Sequence, residues 1–138
     1  MRAKLFWRDI RGAAAVEMAM IAPFIGGLAL LGMSVWQTAS RIEDMRGALQ
    51  SGVRYYMSGG FDDTAGRTFA MSSWDKKPSD GNISVQRVCK CEETVSTCGQ
   101  LCPDQSPPAM FINLNATGTA SNGVSTFSLD ETKVVRVR

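Results

Sequence analysis

The sequence predicts an α+β fold, with a long N-terminal transmembrane and stalk helix followed by a small antiparallel β-sheet domain with disulfides. Three observations predict it. Met18 to Trp36 is a run of 19 residues without a charge. Beyond that run the apolar residues fall at helical spacing as far as Tyr56, and from Ile83 onward they alternate as strand residues do. Four cysteines lie between positions 89 and 102. The chain therefore divides into a basic leader (1–12), a transmembrane and stalk helix (13–57) and a disulfide-containing β domain (58–138).

The leader carries Arg2, Lys4, Arg8 and Arg11 against Asp9, a net +3, so a chain whose total is +2 is −1 elsewhere. A cationic stub ahead of an apolar run keeps the N-terminus on the cytoplasmic side and sends the residues beyond the run across the membrane. At ~1.5 Å per residue, 19 helical residues span ~28 Å, close to the ~30 Å of bilayer hydrocarbon. A cleaved secretory signal is the rival, with Thr38-Ala39-Ser40 as its small-residue site before Arg41. The length of the run and the acid Glu17 at its start favour a retained segment. A buried helix of a soluble protein ranks below both, since the remainder is too small to cover a helix that is apolar on all sides.

After the run, Ile42, Met45, Leu49, Val53 and Tyr56 step by three and four, which is one face of a helix. Gly59-Gly60 predicts its end. Asp62 or Asp63 then caps a short second helix through Met71, with Phe69 pointing inward. Trp74 to Asn82 is turn chemistry throughout. Ile83 to Cys91 and the segment from Met110 read as strands, and Asn122-Gly123 is a hairpin signal leading into Val124–Leu129. A last short strand holds Val134, Val135 and Val137, with Arg136 and Arg138 blunting its edge. The sheet leans on the outer half of the long helix.

Function classes narrow quickly. A chain of 138 residues has no room for a large pocketed enzyme fold, and its zero histidines remove the commonest general base and metal ligand. The acid pairs Asp62-Asp63 and Glu92-Glu93 read as solvated turns, no phosphate-cradling loop is present, and no basic patch interleaved with aromatics argues for nucleic acid. The expectation is a non-enzymatic protein with no cofactor and no catalytic residues.

Cys89, Cys91, Cys98 and Cys102 form C-x-C-x6-C-x3-C on the exported side, where disulfides are the default. C-x-C is a poor chelating half for zinc, and C-x-x-C is absent, so structural disulfides are expected and a metal site is not. Three pairings exist. An antiparallel turn through the segment favours the nested one, Cys89–Cys102 with Cys91–Cys98.

Glu17 sits about one turn into the apolar helix. An acid there costs about 2.5–3.5 kcal/mol at mid-bilayer and less toward the interface, so it calls for a partner. A cut after Gly12 would leave a free amine on Ala13, able to neutralise the acid of a neighbouring subunit when helices stagger by about one turn. The other reading is a solvated flank at headgroup level. Pro23 cannot donate to the carbonyl of Ala19, which makes it either a hinge or an ordinary membrane-helix proline. Ala22 and Gly26, with Ala15, Ala19, Gly27 and Ala29, supply the small-residue spacings that let helices approach closely.

The segment Arg8-Asp9-Ile10-Arg11-Gly12-Ala13-Ala14-Ala15-Val16-Glu17-Met18-Ala19, followed by Ile21-Ala22-Pro23, resembles the N-terminal signature of TadE-like minor pseudopilins of bacterial tight-adherence (Tad/Flp) pili. The resemblance covers residues 8 to about 56, including Arg46-Gly47-Ala48-Leu49, and continues loosely to Val135-Arg136-Val137. It implies a pilin-like layout and prepilin-peptidase processing between Gly12 and Ala13, although most type IV pilins begin with Phe or Met rather than Ala. It also implies that Glu17 matches the family's acid at mature position five. The partners it implies are other pilins or pseudopilins and the inner-membrane pilus assembly platform, with the C-terminal domain in the periplasm. Two other classes stay open: a single-pass anchored periplasmic binding protein, and a secreted domain released after Ser40.

Overall fold

Helix α1 runs from Ile10 to Met57 in the computed structural model, which describes residues 10–137 and the side chains of 15–137. Arg2, Lys4, Arg8, Asp9 and Arg138 lie outside the described residues. The helix begins three residues earlier than Ala13, so Gly12 and Ala13 are in its first turn, and it continues through Pro23. It ends on a paired-glycine cap. Gly59 takes φ +94°, its N–H donates to the Tyr56 carbonyl, and the Gly60 N–H donates to the Tyr55 carbonyl. Those bonds take up two of the last open carbonyls of the helix.

Helix α2 spans Asp63–Ser72. The Asp62 carboxylate caps it, accepting from the N–H groups of Thr64 (2.8 Å) and Ala65 (3.3 Å). Its buried residues are Gly66 and Ala70. Phe69 does not point inward as expected but is 57% exposed, stacked on Tyr55. The inner face must be small because Tyr56 packs directly on it: a Cβ at Gly66 would stand 2.5 Å from the Tyr56 hydroxyl.

The strands are β1 (Asn82–Cys91), β2 (Thr94–Ser96), β3 (Ala109–Ser121) and β4 (Thr126–Arg136), ordered β2-β1-β3-β4 and antiparallel throughout. Strand β2 was not expected. The two short C-terminal strands expected from sequence are one strand, because β4 stays paired with β3 through Asp130, Glu131, Thr132 and Lys133. Charges there broke the apolar alternation without breaking the ladder, which an edge strand tolerates. At the β3–β4 turn Gly123 takes φ +83°, and the Asn122 side chain accepts from Val124 and Ser125.

The chain divides into two units at Gln37/Thr38. In the second unit, one face of the sheet (Ile83, Ile112, Leu114, Ala116, Leu129, Val135) packs on Met45, Ala48, Leu49 and Tyr56 of α1. Burying each such large side chain contributes about 1.5–3 kcal/mol. The approach is closest at Gly52, where a Cβ would lie 2.5 Å from Leu114 Cδ2 and 3.1 Å from the Cβ of Ala70. Trp74, read from sequence as turn, is 3% exposed and completes this core.

Candidate functional site

The described residues of the first unit, 10–37, are helix alone. Val16, Met18, Phe24, Leu28, Leu30 and Met33 point to every side of it, and each is at least 60% exposed. Glu17 is exposed among them. So are Ala22 and Gly26, and a Cβ at Gly26 would meet nothing within 4 Å. Apart from the Ala19 carbonyl, which Pro23 cannot serve, the helix bonds its own backbone, and Ser34 returns its hydroxyl to the Leu31 carbonyl at 2.9 Å, as suits a segment in hydrocarbon. The helix is long and apolar enough to cross a membrane, a length and composition that suit an anchor or a signal.

Residues 38–44 are fastened to the sheet domain. The Asn122 side chain donates to Thr38 Oγ1 (3.0 Å), and Lys76 Nζ donates to Ser40 Oγ (2.6 Å). Arg41 donates to the Lys76 carbonyl, and the Lys76 N–H donates to Asp44. Thr38-Ala39-Ser40 is therefore mid-helix, and two of its three side chains hold loops.

Toward the C-terminal end of α1, Tyr56 donates its hydroxyl to Asp63 Oδ1 (3.1 Å). Arg87 Nε reaches both oxygens of Asp63, and its Nη2 donates to the Phe61 carbonyl. Burial, then the bond to Asp63, pushes the Tyr56 hydroxyl well above its ordinary pKa, while Asp63 holds the Arg87 guanidinium firmly charged. This group ties the α1–α2 connection to β1. A cleft of about 140 Å³ beside it is lined by Met57, Phe61, Arg87, Met110 and Val137 among others.

All four cysteines are paired, as expected of structural disulfides, but the nested pairing is corrected. The bonds are Cys89–Cys98 and Cys91–Cys102, with Cα separations of 5.0 and 5.5 Å. The nested arrangement needs a turn centred near residue 95. The chain turns at Glu92-Glu93 instead, with Glu92 at φ +56°, setting Cys91 opposite Thr94 and Cys89 opposite Ser96. Cys98, two residues beyond Ser96, then falls to Cys89. Cys91 at the hairpin tip takes Cys102, whose loop is closed by the Cys102 N–H donating to the Ser106 carbonyl and the Gln105 N–H to the Cys102 carbonyl. Such bonds belong to an oxidising, extracytoplasmic setting.

The structure thus brings the four cysteines together and leaves Glu17, Pro23, Ala22 and Gly26 on an uncovered helix. Sequence reasoning missed Trp74, Gly52 and Gly66. Only the small size of the two glycines among larger helix residues signalled them. The chain matches no protein-family model, no curated protein and no solved structure.

Proposed function

We propose that this chain is a non-enzymatic minor pilin or pseudopilin of the TadE-like kind, acting by helix–helix association in assembling, priming or anchoring a Tad/Flp-type adhesive pilus. One observation carries the reading: a helix that is apolar around its whole circumference, interrupted by a single acid near its start, continues without a break into the helix of a disulfide-linked sheet domain. A lone receptor needs the anchor but has no use for the acid. A subunit has a use for it, because pairing Glu17 with the amine freed on a neighbour's Ala13 removes two charges from hydrocarbon at one register only. In this proposal the prepilin peptidase cuts between Gly12 and Ala13, the N-terminus starts in the cytoplasm, and the sheet domain lies in the periplasm of a bacterial inner membrane. Release after Ser40 is disfavoured because it would sever α1 where Thr38 and Ser40 hold the loops.

The test is Glu17→Ala. The variant is expected to fold, to form both disulfides, and to lose co-purification with partner pilins and entry into the pilus. N-terminal sequencing of the assembled wild-type chain is expected to begin at Ala13. Normal assembly of the variant, or an assembled chain that retains Met1 to Gly12, overturns the reading.

A further inference from the structure

Strand β4 is the long free edge of the sheet. The Val137 N–H donates to the Met110 carbonyl, and Phe111 stands opposite Arg136. Odd-numbered residues of β4 therefore turn their backbone groups toward β3, and even-numbered residues turn theirs outward. The outward N–H and C=O groups of Ser128, Asp130, Thr132 and Val134 have no partner among the described residues. Along the same strand the side chains on the helix-covered face read Phe127, Leu129, Glu131, Lys133, Val135 and then Val137. That string is its own complement when reversed about Thr132.

We propose that β4 is a self-association edge that pairs antiparallel with β4 of a second copy about a two-fold axis at Thr132. Glu131 of each copy then faces Lys133 of the other, Leu129 faces Val135, and Phe127 faces Val137. The outward ladder closes through Thr132 with itself and Asp130 with Val134. The register is selective. Outward groups meet only if even residues oppose even residues, so the strand can slip only in two-residue steps of pairing. The slips on either side set Glu131 against Glu131 or Lys133 against Lys133, and like charges directly opposite are destabilising. The next slip in one direction sets Asp130 against itself and Glu131 against Leu129. An edge guarded against pairing carries charges that repel its own copy. Here adjacent opposite charges attract it.

Both groups reach the surface. The Glu131 side chain is 25% exposed and Lys133 46%, and their own mutual contact is loose at 3.9 Å. Arg46 of α1 also reaches Glu131, at 3.4 Å, which adds a second cation behind the acid. The pairing has a directional consequence. From Thr38 beside Asn122 to Gly52 against Leu114, α1 runs opposite to β3. A two-fold perpendicular to the sheet therefore sets residues 38–57 of the two copies antiparallel, with their Thr38 ends facing opposite ways. The contact joins chains that meet from opposite directions, and an edge of this size is weak per copy and gains from many copies in an array.

The experiment uses the full chain in detergent micelles. Separately prepared ¹⁴N and ¹⁵N populations are mixed and treated with a carbodiimide, which joins carboxylate to amine at zero length. Wild type is expected to give a mixed-isotope Glu131–Lys133 product, which only an intermolecular contact produces. Glu131→Lys alone and Lys133→Glu alone are each expected to lose mixed-isotope products at these positions, and the second keeps the Arg46–Glu131 pair. Mixing the two variants is expected to restore them, because each then faces the other's opposite charge. Absence of mixed-isotope product in wild type overturns the proposal, as does a mixture no better than either variant alone. Circular dichroism of each variant confirms that the fold is intact.

Discussion

Residues 15–36 and residues 42–56 belong to one helix, yet their apolar side chains have different surroundings. Met18, Phe24, Leu28 and Trp36 are 70–75% exposed, while Met45 and Leu49 are 2% exposed or less. The two stretches are separated by pattern rather than by hydrophobicity alone. In the second, apolar residues keep to one stripe, and the chain's own sheet covers that stripe. In the first they occupy the whole circumference, and cover must come from a medium or from other helices on all sides. A helix can therefore be completed from within along one part of its length and from outside along another.

The comparison is broken most sharply by shortening one leucine in each stretch. Leu49→Ala should destabilise the sheet domain by about 2–5 kcal/mol, because the cavity opens between α1 and the sheet. Leu28→Ala should leave the unfolding of that domain unchanged and weaken only insertion or helix association. Denaturant unfolding of both variants in the same micelles, followed by tryptophan fluorescence, reads the difference. Equal losses would mean that the two stretches are not independent.

A second test concerns what the small core cannot supply. Replacing Cys91 and Cys102 together by Ser should lower stability by about 2–3 kcal/mol, since that bond closes a loop of eleven residues of separation. Peptide mapping under non-reducing conditions should still recover Cys89–Cys98. Recovery of Cys91–Cys98 from wild type would reinstate the nested pairing.

These cysteines also show where sequence reasoning reaches its limit. The stripe Ile42, Met45, Leu49, Val53 and Tyr56 was readable because a period repeats over four turns, and Asn122-Gly123 because its residue types suit positive φ. Glu92 adopts positive φ with neither glycine nor asparagine to announce it, so the turn, and with it β2 and the pairing, stayed hidden. Trp74 lay in a stretch whose other residues all favour turns, and nothing local says that one of them is drawn into the core. Glu17 is the opposite case. It was conspicuous in sequence, but the partner that the proposed function gives it lies in another chain, and a single copy shows only an exposed acid.

Smaller effects sharpen the view of how the second stretch is held. Asp62→Ala removes the acceptor for two N–H groups of α2 and should cost about 1 kcal/mol. Since α2 carries Gly66 and Ala70 against α1, amide exchange should quicken through residues 63–72 before the sheet responds. Uniform acceleration across the domain would show that α2 does not open on its own.

The smallest effect is a pH dependence at the loop before β1. Asp80 accepts the Thr119 backbone N–H at 3.0 Å, and bonds to the Thr119 backbone and hydroxyl hold its carboxyl below the usual carboxylate range. A carboxyl with a lower pKa in the folded state than in the unfolded state binds its proton more readily when unfolded. Its contribution is therefore present above the unfolded value of ~3.9 and is lost as pH falls through the folded value. Asp80→Asn keeps an oxygen for the Thr119 N–H but cannot titrate, so the acid limb of the stability curve should flatten slightly while neutral stability barely moves. Carboxyl NMR of the wild type should show Asp80 titrating below a free aspartate, and titration at the free value would remove this bond from the forces that hold the loop to β3.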